Sequence, residues 1–103
     1  MDLQKPVRIR SKAHLKFVAD LPCLVCGAKP CQAHHLLTAQ PRAMSKKTGD
    51  QWVVPLCGFH HRMLHDVVGD ERQFFADHGQ HDYLDYAKRL AHDSPSAKVR
   101  GAV

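Results

Sequence analysis

Two residue pairs in this 103-residue chain have the spacing of metal ligands: Cys23-x2-Cys26 and, later, Cys57-x2-His60. Tetrahedral zinc takes four soft or borderline donors, and each x2 pair lets a single turn present two of them side by side. Gly27 follows the first pair, where a tight metal knuckle needs a residue free of Cβ constraints. Together the pairs predict a structural zinc site. The competing reading is a redox dithiol, but thioredoxin-like CxxC motifs open a helix after a strand, whereas this one follows Pro22 in a loop. Cys31 is the spare thiol, read as a bystander in the connection, with a ligand role as the alternative.

With His60 assigned to zinc, His34, His35, His61 and His65 remain in the same stretch. His61 and His65, at i and i+4, share one face of a helix. An imidazole from a neighbouring strand would complete an open three-histidine set that leaves positions for water and substrate. Adjacent strand residues point to opposite faces, so His34 and His35 take different jobs. The competing reading makes all four capping, solvated or core-polar histidines. His14, His78, His81 and His92 are read as surface residues, with His14 the one placed to face phosphate.

Nine histidines and four cysteines are the compositional anomaly, and these two ligand sets absorb most of them. Lys+Arg 15 against Asp+Glu 10 gives a net charge of +5, which favours a polyanionic partner. No apolar run reaches the ~18 residues of a membrane span, and MDLQKPVRIRSK lacks the apolar stretch of a signal peptide. The chain is therefore read as soluble and cytoplasmic, with no membrane partner. In a reducing compartment paired cysteines hold metal more often than they form disulfides. A domain this short has a small core, for which a metal staple substitutes.

The elements that must position these residues follow from periodicity. Residues 1–10 form a basic arm, and 11–92 a single domain. Ser11 offers an N-cap for an amphipathic helix over about 11–20 that Pro22 closes. The segments 32–37 and 51–56 read as strands able to pair as a hairpin, Pro55 restricting the second to an edge or strand end. A loop carrying Arg42, Lys46 and Lys47 joins them. The stretch 57–66 is the helix that carries His61 and His65. Asp70 and Gln73 resemble a capping box for a helix over 71–78 ended by Gly79, and a further amphipathic helix covers 82–92. The polar tail 93–103 is expected to be disordered. The fold class is thus α+β: a hairpin and metal helix with a zinc staple, an N-terminal helix and two C-terminal supporting helices.

Cys23-x2-Cys26, Ala33-His34-His35-Leu36 and Val54-Pro55-Leu56-Cys57-x2-His60-His61-x3-His65 together resemble the zinc-stabilised HNH, or ββα-metal, endonucleases. The flanks are similar to a phage-associated, Ref-like subgroup, which implies a recombinase filament as a partner. The resemblance implies a metal-dependent DNA endonuclease that nicks or cuts duplex DNA. His35 would be the general base, and His34, His61 and His65 the ligands of one catalytic Mg²⁺, Mn²⁺, Ni²⁺ or Zn²⁺. Cys23, Cys26, Cys57 and His60 would hold structural zinc. Arg8, Arg10, Lys12, Arg42, Lys46, Lys47 and Arg62 would contact phosphates, and a monomer is favoured. The sequence departs from the family where an Asn normally precedes the VPLC-like segment. Gly49-Asp50-Gln51-Trp52 stands there, with Asp50 or Gln51 as the substitute. Without that brace, a zinc-stapled nucleic-acid-binding module lacking catalysis is the alternative.

Overall fold

A computed structural model describes residues 8–39 and 48–102. The first element, α1 (Lys12–Ala19), begins where expected, the Ser11 hydroxyl accepting the His14 N–H at 3.2 Å. Its inward face carries Val18 and, against expectation, His14, which is fully buried. His14 lies one helical turn before Val18 and so shares its buried stripe. Its Nδ1 meets the Ser94 hydroxyl at 2.8 Å in the interior, so it does not face solvent or a phosphate.

Strands β1 (Cys31–His35) and β2 (Val53–Cys57) pair antiparallel in register from Cys31↔Cys57 to His35↔Val53. Every residue of β2 is buried, because the hairpin is covered on both faces. Val54 and Leu56 pack with Leu36, Leu64, Phe74, Phe75, Tyr83 and Ala87 in one cluster. Val53 packs with Val18 and Leu90 in another. Burial on both faces explains why β2 reads as an unbroken apolar run. Pro55 is tolerated because a two-stranded sheet leaves one edge of each strand unpaired; its carbonyl accepts the Leu24 N–H at 2.9 Å, tying the cysteine knuckle to the sheet.

The metal helix starts at the end of β2, as α2 (Gly58–Met63). It then widens into a π-helical turn at Leu64–Val68, which Gly69 ends at φ 71°. The straight helix expected over 57–66 is thus two geometries in series. Next, Asp70 caps α3 (Glu71–Asp77) through the Gln73 N–H, while the Gln73 amide bonds Asp77 instead of turning back to complete a box. The last long helix is α4 (Tyr83–His92).

The tail differs from expectation. Ser96 caps a short helix, α5 (Ala97–Arg100), whose Val99 is fully buried, and Arg100 donates to the Ser94 carbonyl at 2.6 Å. One apolar residue with a cap and a carbonyl clamp suffices to dock it. The molecule is therefore a compact α+β unit with a two-stranded antiparallel sheet and several helices. Among the described residues no helix is long and apolar enough to cross a membrane.

Candidate metal centres

The sequence around Cys23 folds into a knuckle: the Gly27 N–H bonds the Cys23 carbonyl, the Cys23 N–H bonds the Ala28 carbonyl, and Gly27 takes φ 77°. Cys57 ends β2 directly opposite, and His60 lies one turn further on in α2. The ligand atoms of Cys23, Cys26, Cys57 and His60 all lie within 4.8 Å of one another. Metal–sulfur bonds of about 2.3 Å in a tetrahedron place sulfurs about 3.8 Å apart. Cys26 Sγ and Cys57 Sγ are 3.8 Å apart, and His60 Nδ1 is 3.4 Å from Cys57 Sγ and 3.9 Å from Cys23 Sγ. The donor set fits a closed, four-coordinate ion.

The protonation states of Cys23 and His60 favour the same use, whereas at Cys26 a backbone hydrogen bond at Ala28 is outweighed by burial and the neighbouring Cys57 and Cys23, which push the thiol up. Burial alone would raise the Cys23 thiol, but backbone N–H groups of Cys57, Cys26 and Val25 outweigh it and hold the group below its ordinary value. Burial, then the neighbouring His78, keeps His60 neutral by lowering its pKa. Cys31 behaves oppositely. Burial and then the nearby Cys23, Cys57 and Cys26 push its thiol up to about 11, and it donates to the Ala28 carbonyl at 3.2 Å. It stands outside the set of four.

A second set lies on the helix side of β1. His34, His61 and His65 have ligand atoms within 4.8 Å of one another, His34 Nδ1 being 3.3 Å from His61 Nε2. The π-helical turn does not separate the two helix histidines, whose ring centroids are 4.7 Å apart. Burial grades from His34 through His61 to the exposed His65, so the set opens to solvent on one side. There it borders an open groove of about 270 Å³ lined by Gln32, Gly58, His61, Arg62, His65 and Asp66. Burial, then His34 and His65, lowers the His61 pKa to about 4, which leaves a lone pair for a cation at neutral pH. Three imidazoles around one point fit an ion with open positions.

Two further residues matter, and one of them has no signal in the sequence. His34 Nε2 lies 3.0 Å from Glu71 Oε1, and His61 Nδ1 is bonded to the Gln32 side-chain oxygen. Spacing does not single out Glu71, since an acid in the first turn of a helix is ordinary. Burial by itself would raise its pKa, yet hydrogen bonds from His34, Thr38 and Leu37 outweigh it and keep Glu71 ionised.

His35 points to the opposite face of the strand, as alternation requires. Its Nε2 lies 2.8 Å from Oδ1 of buried Asp50, whose Oδ2 accepts the Ser11 N–H at 2.7 Å. Asp50, not Gln51, therefore reaches His35; Gln51 is buried with its side-chain oxygen lacking a hydrogen-bond partner among the described residues. Burial opposes ionisation of Asp50, but hydrogen bonds from His35 and Ser11 and the charge of Arg8 hold its pKa low. An ionised Asp50 accepts from His35 Nε2, so that nitrogen carries a proton.

The arm is only partly free for phosphate. Arg8 donates to the Thr48 carbonyl at 2.8 Å and lies 3.7 Å from Asp50, while Ile9 O accepts the Asp50 N–H. Arg10 keeps a largely exposed side chain 3.9 Å from Asp50, and Lys12 and Arg62 are exposed. Arg42, Lys46 and Lys47 lie outside the described residues. Of the peripheral histidines, His81 and His92 are exposed, whereas His78 packs edge-on against His60 at 5.3 Å between ring centroids.

Fold and sites define a small α+β protein with two clusters able to hold metal. A family of proteins of unknown function, DUF968, matches residues 1–94, and the chain belongs to it. It is similar to the uncharacterized protein YdfU of Escherichia coli (strain K12), with 35% identity over 75 residues. That match covers 72% of this chain and 22% of the relative, so the chain spans about a fifth of that protein's length. No solved structure matches the chain.

Proposed function

We propose that this chain is a metal-dependent DNA endonuclease unit of the HNH, ββα-metal type, stapled by zinc. The observation that carries the reading is the convergence of His34 from β1 with His61 and His65 from the following helix into one three-imidazole set opening on a groove. His34, His61 and His65 would hold a divalent ion there, which would supply charge neutralisation to a bound phosphodiester. Neutral imidazoles are softer donors than Mg²⁺ prefers, so Mn²⁺, Ni²⁺ or Zn²⁺ binds more tightly than Mg²⁺.

The chain's own residues do the rest. His35, held at Nε2 by Asp50, takes a proton from water at Nδ1. Asp50 stabilises the imidazolium that results, which supplies the bracing expected of the usual Asn. His34 and His35, adjacent at the end of β1 and facing opposite ways, bracket a phosphodiester lying across the strand end. Arg62 beside the groove, and Arg10 and Lys12 at the arm, contact flanking phosphates, which gives affinity without sequence choice.

The test is supercoiled plasmid incubated with the protein and Mg²⁺, Mn²⁺ or Ni²⁺. Nicking that disappears in His35→Ala while DNA binding persists supports the enzyme. The second reading, a stapled nucleic-acid-binding module, is favoured by the closed contact of His35 with Asp50 and, at 3.4 Å, with Arg8. It is the outcome if no nicking rises above the His35→Ala level.

A further inference from the structure

Glu71 and Asp50 are the two buried acids among the described residues, and Glu71 is the one that faces the three-histidine cluster. Its side chain is 4% exposed, yet its two oxygens face four donors. Oε1 accepts from His34 Nε2 at 3.0 Å and the Leu37 N–H at 2.9 Å. Oε2 accepts from the Thr38 N–H at 3.0 Å and the Thr38 hydroxyl at 2.5 Å. The Thr38 hydroxyl has one proton, directed at Glu71, so the Tyr83 hydroxyl at 2.9 Å donates to it in turn. Tyr83 is itself fixed, stacked on Phe75 with centroids 4.3 Å apart and planes 13° apart. Every donor in this chain of contacts has one acceptor, and all run toward the Glu71 carboxylate.

A histidine has two ring nitrogens, and the partner of one decides the tautomer and aim of the other. We propose that Glu71 is the positioning residue of the three-histidine site, fixing His34 as the Nε2–H tautomer so that Nδ1 is delivered toward His61 and His65. By holding Leu37 and Thr38 with the same carboxylate, it also locks the chain leaving β1 to the ligand that ends it. This rests on the reading of His34, His61 and His65 as a metal site. Gln32 plays the smaller, matching part for His61, from an exposed position.

Glu71→Gln keeps the shape but replaces one acceptor with an amide NH2. Turned one way, that NH2 opposes the Thr38 N–H; turned the other, it opposes His34 Nε2 and drives the ring proton to Nδ1, the atom needed for the ion. The experiment titrates the chain, its Cys/His site loaded with zinc, with Co²⁺ followed by visible absorption. Nitrogen-15 spectra of the histidine rings before addition report the tautomer. The expected result is one Co²⁺ per chain in the parent, binding about 10- to 100-fold weaker in Glu71→Gln, and a parent His34 protonated at Nε2. Equal affinity in parent and Glu71→Gln, or a parent His34 protonated at Nδ1, overturns the assignment to Glu71 alone. A parent that takes up no Co²⁺ while His65→Ala gives the same blank titration overturns the metal reading and the assignment with it. Should Glu71→Gln fail to fold, Thr38→Val, which removes one donor and strands the Tyr83 hydroxyl, is expected to weaken Co²⁺ in the same direction. Unchanged affinity there counts against the proposal.

Discussion

Asp50→Asn isolates the contact that joins the arm, the loop before β2 and His35. The side chain keeps its shape and loses its charge. In the parent, Asp50 accepts two charge-assisted hydrogen bonds, from the Ser11 N–H at 2.7 Å and His35 Nε2 at 2.8 Å. Asparagine has one oxygen to offer, so one donor meets an NH2 instead. Losing one hydrogen bond to a charged group in a buried setting costs about 1.5–3 kcal/mol, and the unpaired donor adds about 1 more. Arg10, 70% exposed and 3.9 Å away, contributes little because solvent screens it. The expected loss is thus about 2.5–4 kcal/mol, a large share of the roughly 5–15 kcal/mol that holds a domain together. With a urea dependence of about 2 kcal/mol per molar, the unfolding midpoint falls by about 1–2 M at pH 7.

The pH dependence has a definite sign. The Asp50 pKa is lowered in the folded state, so its contribution is fully present above the unfolded carboxylate value and lost as pH falls through the folded one. The parent-minus-variant gap closes as pH falls below about 4, from the ordinary aspartate value of about 3.9 downward. Acid also strips metal from parent and variant alike, so the difference between them reads Asp50. Urea titrations of both proteins at matched metal loading, at about pH 7, 5 and 3.5 to span that window, are the assay. A gap below about 1 kcal/mol at pH 7, or one that does not shrink as pH falls below about 4, refutes the reasoning.

Other perturbations separate the sites. Cys26→Ser is expected to lose the tightly held ion and lower the melting temperature, while Cys31→Ser leaves both unchanged; elemental analysis and thermal unfolding read the pair. His65→Ala is expected to weaken the open site's ion with little effect on folding, because His65 is exposed, whereas His35→Ala abolishes nicking and leaves ion affinity intact. Val99→Ala is expected to cost about 1–3 kcal/mol, from burial of a full Val side chain, measured by urea unfolding. A disordered tail would give no change.

Both ligand sets are legible in the sequence because their pairs are local. An x2 knuckle, an i, i+4 helix pair and strand alternation each act within a few residues, so spacing singles out the candidate ligands from Cys23 to His65, while the choice of His34 over His35 comes from the resemblance. The supporting contacts are not legible, because they close over long separations through shapes that spacing does not encode. Glu71 meets His34 from the start of another helix, and Asp50 rather than Gln51 reaches His35 because the turn at 48–50 docks on Ile9 and Ser11. His14 has a usable signal, its i, i+4 relation to Val18, which the general polarity of histidine overrides. The tail has almost none, since one buried Val makes no period.

Cys57 explains how so short a chain can support both centres. An isolated hairpin is marginally stable, and here 17 residues separate the strand ends at His35 and Val53. Cys57 is at once the last residue of β2, the partner of Cys31 in the register, a member of the four-ligand cluster and the N-cap of α2. An ion held by Cys23, Cys26, Cys57 and His60 therefore fixes the strand end and the first turn of the helix together. His61 follows directly on His60, and its ring meets His34 across the hairpin. Strand alternation puts His34 on the α2 side, and Glu71 sets the nitrogen it offers. The His34–His61–His65 cluster is thus positioned by the four-residue Cys/His cluster and one buried carboxylate, and its geometry depends on the first cluster although the two share no residue.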